Sequence, residues 1–425
     1  MALLATAGLL LAACQGGGPP TAGAPGTSPQ GAEPVTLNMW LFGEFGYGPL
    51  IERYHREHPN VTVKTKVADY GAHHDALTAG LASGSGAPDI AAIEVGFIAA
   101  FKARPENFYN LLDFGAGDLQ GDYLPWKWQQ ALTGDGSALI GLPTDVGPMA
   151  MCYRTDLFEQ AGLPTDREEV GALWPTWSDF IEVGRRFTQA TGVGFIDAGS
   201  QLYNAIVNQG TEKYYRRDDT LVYASNPQVK KAWDLTMEAI QAGISAQIAP
   251  FTAEWNAGMQ RGSFGVLTCP AWMMGYIQGQ APDTAGKWDI APMPEGSGNW
   301  GGSFLALPRQ GQHPQEAYQF ISWLLAPEQQ LYVFEHTGNF PSTPELYSDP
   351  AIQDFSNPFF NDAPVGRIFA ESAMKVTPIY EGSQEGQIRS IVESAIGRVE
   401  QGQQSPGEAW ASLLEELERE VGPSS

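Results

Sequence analysis

Phe264-Gly265-Val266-Leu267-Thr268-Cys269-Pro270-Ala271-Trp272, Lys287-Trp288-Asp289-Ile290-Ala291-Pro292-Met293-Pro294, Asn299-Trp300-Gly301-Gly302-Ser303 and His313-Pro314-Gln315-Glu316-Ala317 follow one another inside residues 255–325. The first piece is a short apolar run stopped by proline, which reads as a buried strand. The second reads as extended chain. The third is a turn whose paired glycines let backbone come close to something else, and residues 304–307 form one more strand. The fourth opens a helix with an apolar face of Ala317, Phe320, Ile321, Leu324 and Leu325, and Pro327 lies just beyond it. Ahead of them all, residues 255–263 read as polar and flexible. A large aromatic at a strand end beside a Gly-rich turn points to a ligand cleft and not to a core alone.

Outward from that stretch, the pattern is strand, helix, strand. Residues 35–40 alternate like a strand, 43–49 form a loop, 50–58 are amphipathic, and 61–67 alternate again. After a helix at about residues 73–83, Gly84-Ser85-Gly86-Ala87-Pro88-Asp89 feeds the apolar run Ile90-Ala91-Ala92-Ile93-Glu94. This is not a phosphate loop, because no Lys-Ser or Lys-Thr follows the glycines and the helix precedes the turn. Further on, Trp174-Pro175-Thr176-Trp177-Ser178 opens a helix capped by Thr176 or Ser178, with Trp177 as packing. Residues 199–209 present Gln201, Tyr203, Asn204, Asn208 and Gln209 on a helix-like stretch, and Asn226-Pro227 opens the helix at about 228–242. Residues 390–401 and 406–421 read as two terminal helices with solvated charged faces.

The chain has 425 residues, enough for two or three domains, and 43% of them are hydrophobic. Its 48 acidic against 24 basic residues give a formal charge of -24, which argues against nucleic acid or an anionic membrane surface as a partner. A neutral or cationic ligand fits that field. Cys152 and Cys269 either form one disulfide or remain two buried thiols, and six scattered histidines give no zinc pattern. No metal or cofactor is expected. Residues 2–13 are a short apolar run, and Leu11-Ala12-Ala13-Cys14 followed by Gln15-Gly16-Gly17-Gly18 resembles a bacterial lipobox, although no Lys or Arg precedes the run. The resemblance implies a signal peptide over 1–13 and a lipid on Cys14. Residues 14–33, rich in Gly, Pro, Ala, Ser and Thr, then read as a flexible tether.

The order of parts around residues 261–317, the step Pro88-Asp89-Ile90, and the stretch Gly141-Leu142-Pro143-Thr144-Asp145-Val146-Gly147-Pro148-Met149 together resemble the family 1 extracellular solute-binding proteins that deliver sugars to ABC importers. The resemblance covers nearly all of residues 35–421. It implies an α/β, two-lobed periplasmic-binding-protein type II fold with a hinge and an interlobe ligand cleft. Residues 34–145 plus 303–343 would form lobe 1, and 146–302 plus 344–421 lobe 2. The first crossover would lie at 141–158 and the last hinge segment at 339–343. It also implies an extracytoplasmic, lipid-anchored monomer that works with ABC permease subunits. Residues 162–170 and 196–200 look like those of cellobiose and cello-oligosaccharide binding lipoproteins.

A sugar needs a flat aromatic against its C–H face and carboxylates or amides for its hydroxyls. Trp272 and Trp300, each at a strand end beside Pro or Gly, are the expected stacking rings, with Trp255, Trp40 and Tyr380 as further aromatic candidates. Trp233, Trp288, Trp323 and Trp410 read as core. Glu44 lies in the loop after the first strand, which resembles the Gly-Asp-Lys-Gly loop of maltose-binding proteins with Glu for Asp and Phe45 for Lys. Glu94 and Asp145 follow strands that reach the cleft, and Asn204 offers a helix amide. Xylo-oligosaccharides and alpha-glucosides are alternative ligands. A peptide or polyol-phosphate receptor fits less well, since there is no basic cluster. The competing class is a glycoside hydrolase, which would use the same carboxylates as acid and base or nucleophile. The whole-chain resemblance implies a receptor with no catalytic residues.

Overall fold

The structure, a computed structural model, describes residues 33–425. The expected signal peptide (1–13), the lipid site Cys14 and the tether up to residue 32 lie outside the described residues. In chain order the strands are β1 (Val35–Phe42), β2 (Val61–Ala68), β3 (Ile90–Glu94), β4 (Gly141–Pro143), β5 (Asp145–Val146), β6 (Met149–Arg154), β7 (Gly194–Ile196), β8 (Phe264–Pro270), β9 (Trp288–Ala291), β10 (Ser303–Ala306) and β11 (Phe340–Pro341). They assemble into a five-stranded sheet of order β2-β1-β3-β10-β4, a four-stranded sheet of order β7-β8-β6-β9, and the small pair β11-β5 between them.

Each large sheet follows from its sequence pattern. β1 buries Val35, Leu37, Met39 and Leu41 and turns the alternate residues outward. It pairs in parallel with β2, Val35 opposite Val61, and with β3, Met39 opposite Ile90. Parallel neighbours need crossovers, supplied by the helices Gly48–Glu57 and Tyr70–Ser83. β10 enters antiparallel between β3 and β4, so the chain returns to this sheet after building the other one. In the second sheet β6 is central and antiparallel to both β8 and β9.

Two lobes result, each with its own apolar interior. The first gathers Leu37, Met39, Ile90, Ile93, Leu142, Phe304 and Phe320. The second has one cluster with Tyr153, Phe158, Trp177, Phe195 and Trp233, and another with Leu267, Trp255, Trp288, Phe340 and Phe369 on the opposite side of its sheet. Trp177, Trp233 and Trp288 are fully buried as expected, whereas Trp323 and Trp410 are half-buried beneath the cations of Arg53 and Lys230. Cys152 on β6 and Cys269 on β8 are joined by a disulfide, with Cα atoms 5.3 Å apart.

Three passages of chain connect the lobes. The stretch through β5 passes beside the turn before β10, where Thr144 N–H donates to the Ser303 carbonyl and Trp300 N–H to the Gly147 carbonyl. β11 is the third and pairs Phe340 with Val146. Gly301 and Gly302 have φ of +89° and +91°, the left-handed region that favours glycine.

Two expectations are corrected. Residues 255–263 are not flexible: Ala253–Arg261 is a helix, started by the Thr252 hydroxyl accepting the Trp255 N–H and ended by left-handed Gly262. Thr252 is an ordinary N-cap signal that the polar composition masked. Pro327 does not merely follow a helix but opens the next one, Pro327–Thr337, as proline at a first helical turn does. The capping box at Thr176 and Asp179 and the Asn226 cap stand where the sequence suggested.

Candidate functional site

The second lobe carries a cluster of aromatic rings near the hinge. β8 ends at Pro270, and Trp272 starts the helix Met273–Gln280, so its ring is carried to the end of the sheet. The Trp272 indole N–H donates to the Trp300 carbonyl at 2.9 Å, and the two rings meet nearly edge to face with centroids 5.2 Å apart. Close backbone approach makes this possible. A Cβ on Gly301 would sit 3.0 Å from the Trp272 indole nitrogen, and one on Gly147 would collide with the Trp300 carbonyl. Both tryptophans are half-buried.

A third ring, Phe251, was not foreseen. It is 49% exposed at φ +62° and lies nearly parallel to Trp272 at 6.3 Å, with Tyr276 edge-on at 5.7 Å. Its only sequence signal was a lone aromatic in the Pro250-Phe251 turn, outside any helical or strand period. Trp255, by contrast, is a correction. It is fully buried behind this cluster, with its indole N–H on Asp197 Oδ2 at 2.8 Å, and offers no face to a ligand. Burial pushes the Asp197 carboxyl up to about 7.

The candidate carboxylates of the first lobe are Glu44, Glu94 and Asp145, and two of them are occupied. Glu94 ends β3 and accepts the Gly96 N–H and the Tyr70 hydroxyl, both at 2.8 Å, through the same oxygen, Oε2. Its backbone N–H donates to His74 Nε2 at 3.2 Å, and His74 Nδ1 faces the Tyr70 carbonyl. His74 is therefore neutral with its proton on Nδ1, and burial pulls its pKa down to about 4. Asp145, in the hinge, accepts from the Thr144 hydroxyl at 2.5 Å and the Ser303 N–H at 3.0 Å. Burial raises its carboxyl against the opposing pull of Lys127. Glu44 differs: it is exposed on the loop after β1, where its backbone carbonyl accepts from Asn339.

Lys127 was not foreseen either. It is fully buried, its ammonium 4.1 Å from the centre of the Phe304 ring and without a hydrogen-bond partner among the described residues. Burial lowers it to about 8, against the pull of Asp145, Glu94 and Glu381. On the second lobe, Asn204 accepts from the Asn208 amide at 2.9 Å while its own Nδ2 is buried and, among the described residues, unpartnered. Buried Lys213 pairs with Glu385 at 2.5 Å and Glu381 at 3.2 Å, and among the described residues Glu381 Oε2 is also left without a partner.

The remaining aromatic candidates, Trp40 and Tyr380, make other contacts. Trp40 lies on β1 with the Lys66 ammonium 4.2 Å over its ring, a strand-face packing role. Tyr380 is half-buried against the core of the second lobe and its hydroxyl donates to Asp219 at 2.7 Å. Trp272, Trp300, Phe251 and Tyr276 are thus brought together, and the hinge sets Asp145 within two residues of Gly147, on which Trp300 rests. A half-open aromatic surface of this kind can hold a ring compound against its faces.

The family described as bacterial extracellular solute-binding protein matches residues 46–331. The arabinooligosaccharide-binding protein of Bacillus subtilis (strain 168) is 25% identical over 374 residues, 81% of this chain and 82% of that one. The lactose-binding protein of Rhizobium radiobacter is 28% identical over 357 residues, 78% of this chain and 79% of that one. A crystal structure described as extracellular solute-binding protein family 1 aligns with a TM-score of 0.81 at 39% identity, covering 91% of this chain and 99% of that chain.

Proposed function

Because this chain belongs to the bacterial extracellular solute-binding proteins, we propose that it captures an oligosaccharide between its lobes and hands it to the permease of an ABC importer. The observation that carries this reading is the half-exposed aromatic surface of Trp272, Trp300 and Phe251 at the hinge. Such rings cover the C–H face of a sugar at low entropic cost. The unpartnered Asn204 Nδ2 and Glu381 Oε2 support it, since a buried polar group without a partner costs about 1–3 kcal/mol, which a ligand hydroxyl recovers. Glu44, Glu94 and Asp145 close from the other side.

On this reading the lobes divide as 34–145 plus 303–343 and 146–302 plus 344–421, and rotation about the hinge traps the ligand. A sugar touching both lobes stabilises the closed form through contacts the open form lacks. The protein acts as a monomer held outside the cytoplasmic membrane by a lipid on Cys14. The sugar is a short β-linked chain, cellobiose or a cello-oligosaccharide, whose flat faces suit paired aromatic platforms. The names of the relatives add arabinooligosaccharides and lactose as the series to test against it. Calorimetric titration of the chain from residue 33 onward with cellobiose, lactose, xylobiose, maltose and arabinooligosaccharides tests this. Saturable binding of a β-linked series with the sugar recovered intact supports the proposal, and binding of none of them rejects it.

A further inference from the structure

The helix Glu385–Glu400 belongs to the second lobe, since Ile388, Ile391, Val392 and Ile396 pack into the same cluster as Met151 and Tyr153 of β6. Yet one of its side chains leaves that lobe. Arg389 donates through an Nη atom to the Tyr70 hydroxyl at 3.0 Å, and that hydroxyl donates in turn to Glu94 Oε2 at 2.8 Å. Tyr70 opens a helix of the first lobe and Glu94 ends β3. Among the described residues this is the side-chain to side-chain hydrogen bond that joins the two lobes away from the hinge.

Its setting is packed at both ends. Lys213 holds the start of the arginine's helix through Glu385, one turn before Arg389. Opposite, the Tyr70 ring packs edge-on against Phe97 and Phe42, and Phe97 stacks on His74 at 4.0 Å. A bond between two such fixed points, set off from the β5-β11 pivot, survives only one mutual orientation of the lobes.

We infer that Arg389 is a positioning residue for capture: its bond to Tyr70 clasps the lobes together and so sets the closing equilibrium on which ligand affinity depends. This deepens the proposed function and rests on it for the affinity arm of the test. A hydrogen bond to a charged group supports about a tenfold effect on such an equilibrium.

Arg389→Ala, Arg389→Lys, Tyr70→Phe and the double variant Arg389→Ala with Tyr70→Phe would be compared with the parent by small-angle scattering without sugar and by calorimetry with cellobiose and lactose. Melting curves would verify that each is folded. The clasp predicts a larger radius of gyration in sugar-free Arg389→Ala and Tyr70→Phe. It also predicts about tenfold weaker sugar binding with faster release, partial recovery in Arg389→Lys, and no further loss in the double variant. Unchanged radii with unchanged affinities, or additive losses in the double variant, would overturn it. If the parent binds neither sugar, the oligosaccharide reading loses its support and the scattering arm alone decides the clasp.

Discussion

The two walls of the cleft are built from different chemistry and are in different states of readiness. The second lobe presents rings whose own polar atoms are already satisfied, as with the Trp272 indole on the Trp300 carbonyl, while their faces stay half-open. The first lobe presents carboxylates that are mostly engaged in its own fold, Glu94 capping a helix and Asp145 tying the hinge to Ser303. The contrast locates binding energy. Apolar ring faces lose nothing inside the protein when a sugar arrives, whereas a carboxylate already accepting two bonds has less to offer. On the proposed reading, the aromatic wall carries the affinity, and the carboxylate wall sets the geometry into which it closes.

The sharpest way to break this contrast is to remove a ring. Trp272→Ala is expected to weaken sugar binding about a hundredfold, near 3 kcal/mol, in a calorimetric titration. A change of less than threefold would move the site elsewhere.

The support beneath the carboxylate wall is tested by pH. His74 stays neutral in the fold, with a pKa of about 4, because burial and the Glu94 N–H on Nε2 oppose a proton there. An unfolded histidine titrates near 6.5, so between these values the unfolded chain takes up the proton. The stability contribution is complete above about pH 6.5 and is lost progressively as pH falls to about 4, on the order of 2–3 kcal/mol. Melting temperatures of the parent and His74→Gln between pH 7.5 and 4 should converge on acidification; parallel curves would contradict the assignment.

Trp255→Phe sharpens the boundary between ring wall and core. Loss of its N–H leaves Asp197 without that donor and should cost about 1–2 kcal/mol of stability in denaturant titration. Sugar affinity should stay within about threefold, and a larger loss would return Trp255 to the binding surface. The smallest effect is expected at the exposed Glu44, where Glu44→Gln keeps a hydroxyl acceptor but removes its charge. Calorimetry should register a loss of about 1 kcal/mol or less; a hundredfold loss would make the carboxylate wall the dominant one.

Legibility in the sequence follows the same division. Alternation in residues 35–40 and 61–67, the apolar runs ending at Glu94 and Cys269, and the Gly-Gly turn at 301–302 each record a local constraint, so sheet strands and close backbone approaches could be read directly. The placement of Trp272 and Trp300 beside Pro and Gly at strand ends was legible for the same reason. Trp255 was misplaced because a helix cap at Thr252 hides in a polar stretch, and burial is decided by what packs over the ring, which local composition does not record. Lys127, Lys213, Glu381 and Arg389 carry no local signal: their roles arise from side chains brought together from far apart in the chain, 168 residues for Lys213 and Glu381 and 319 for Tyr70 and Arg389. The Cys152–Cys269 bridge was similarly open until the register of β6 and β8 set the two residues diagonally across the ladder.

The most direct test of the central claim is one calorimetric series with cellobiose, lactose and arabinooligosaccharides on the parent, Trp272→Ala and Trp255→Phe, with chromatography of the sugar afterwards. The account predicts saturable binding of intact sugar by the parent and Trp255→Phe and about a hundredfold weaker binding by Trp272→Ala. Full binding by Trp272→Ala, or cleavage of the sugar, would contradict it.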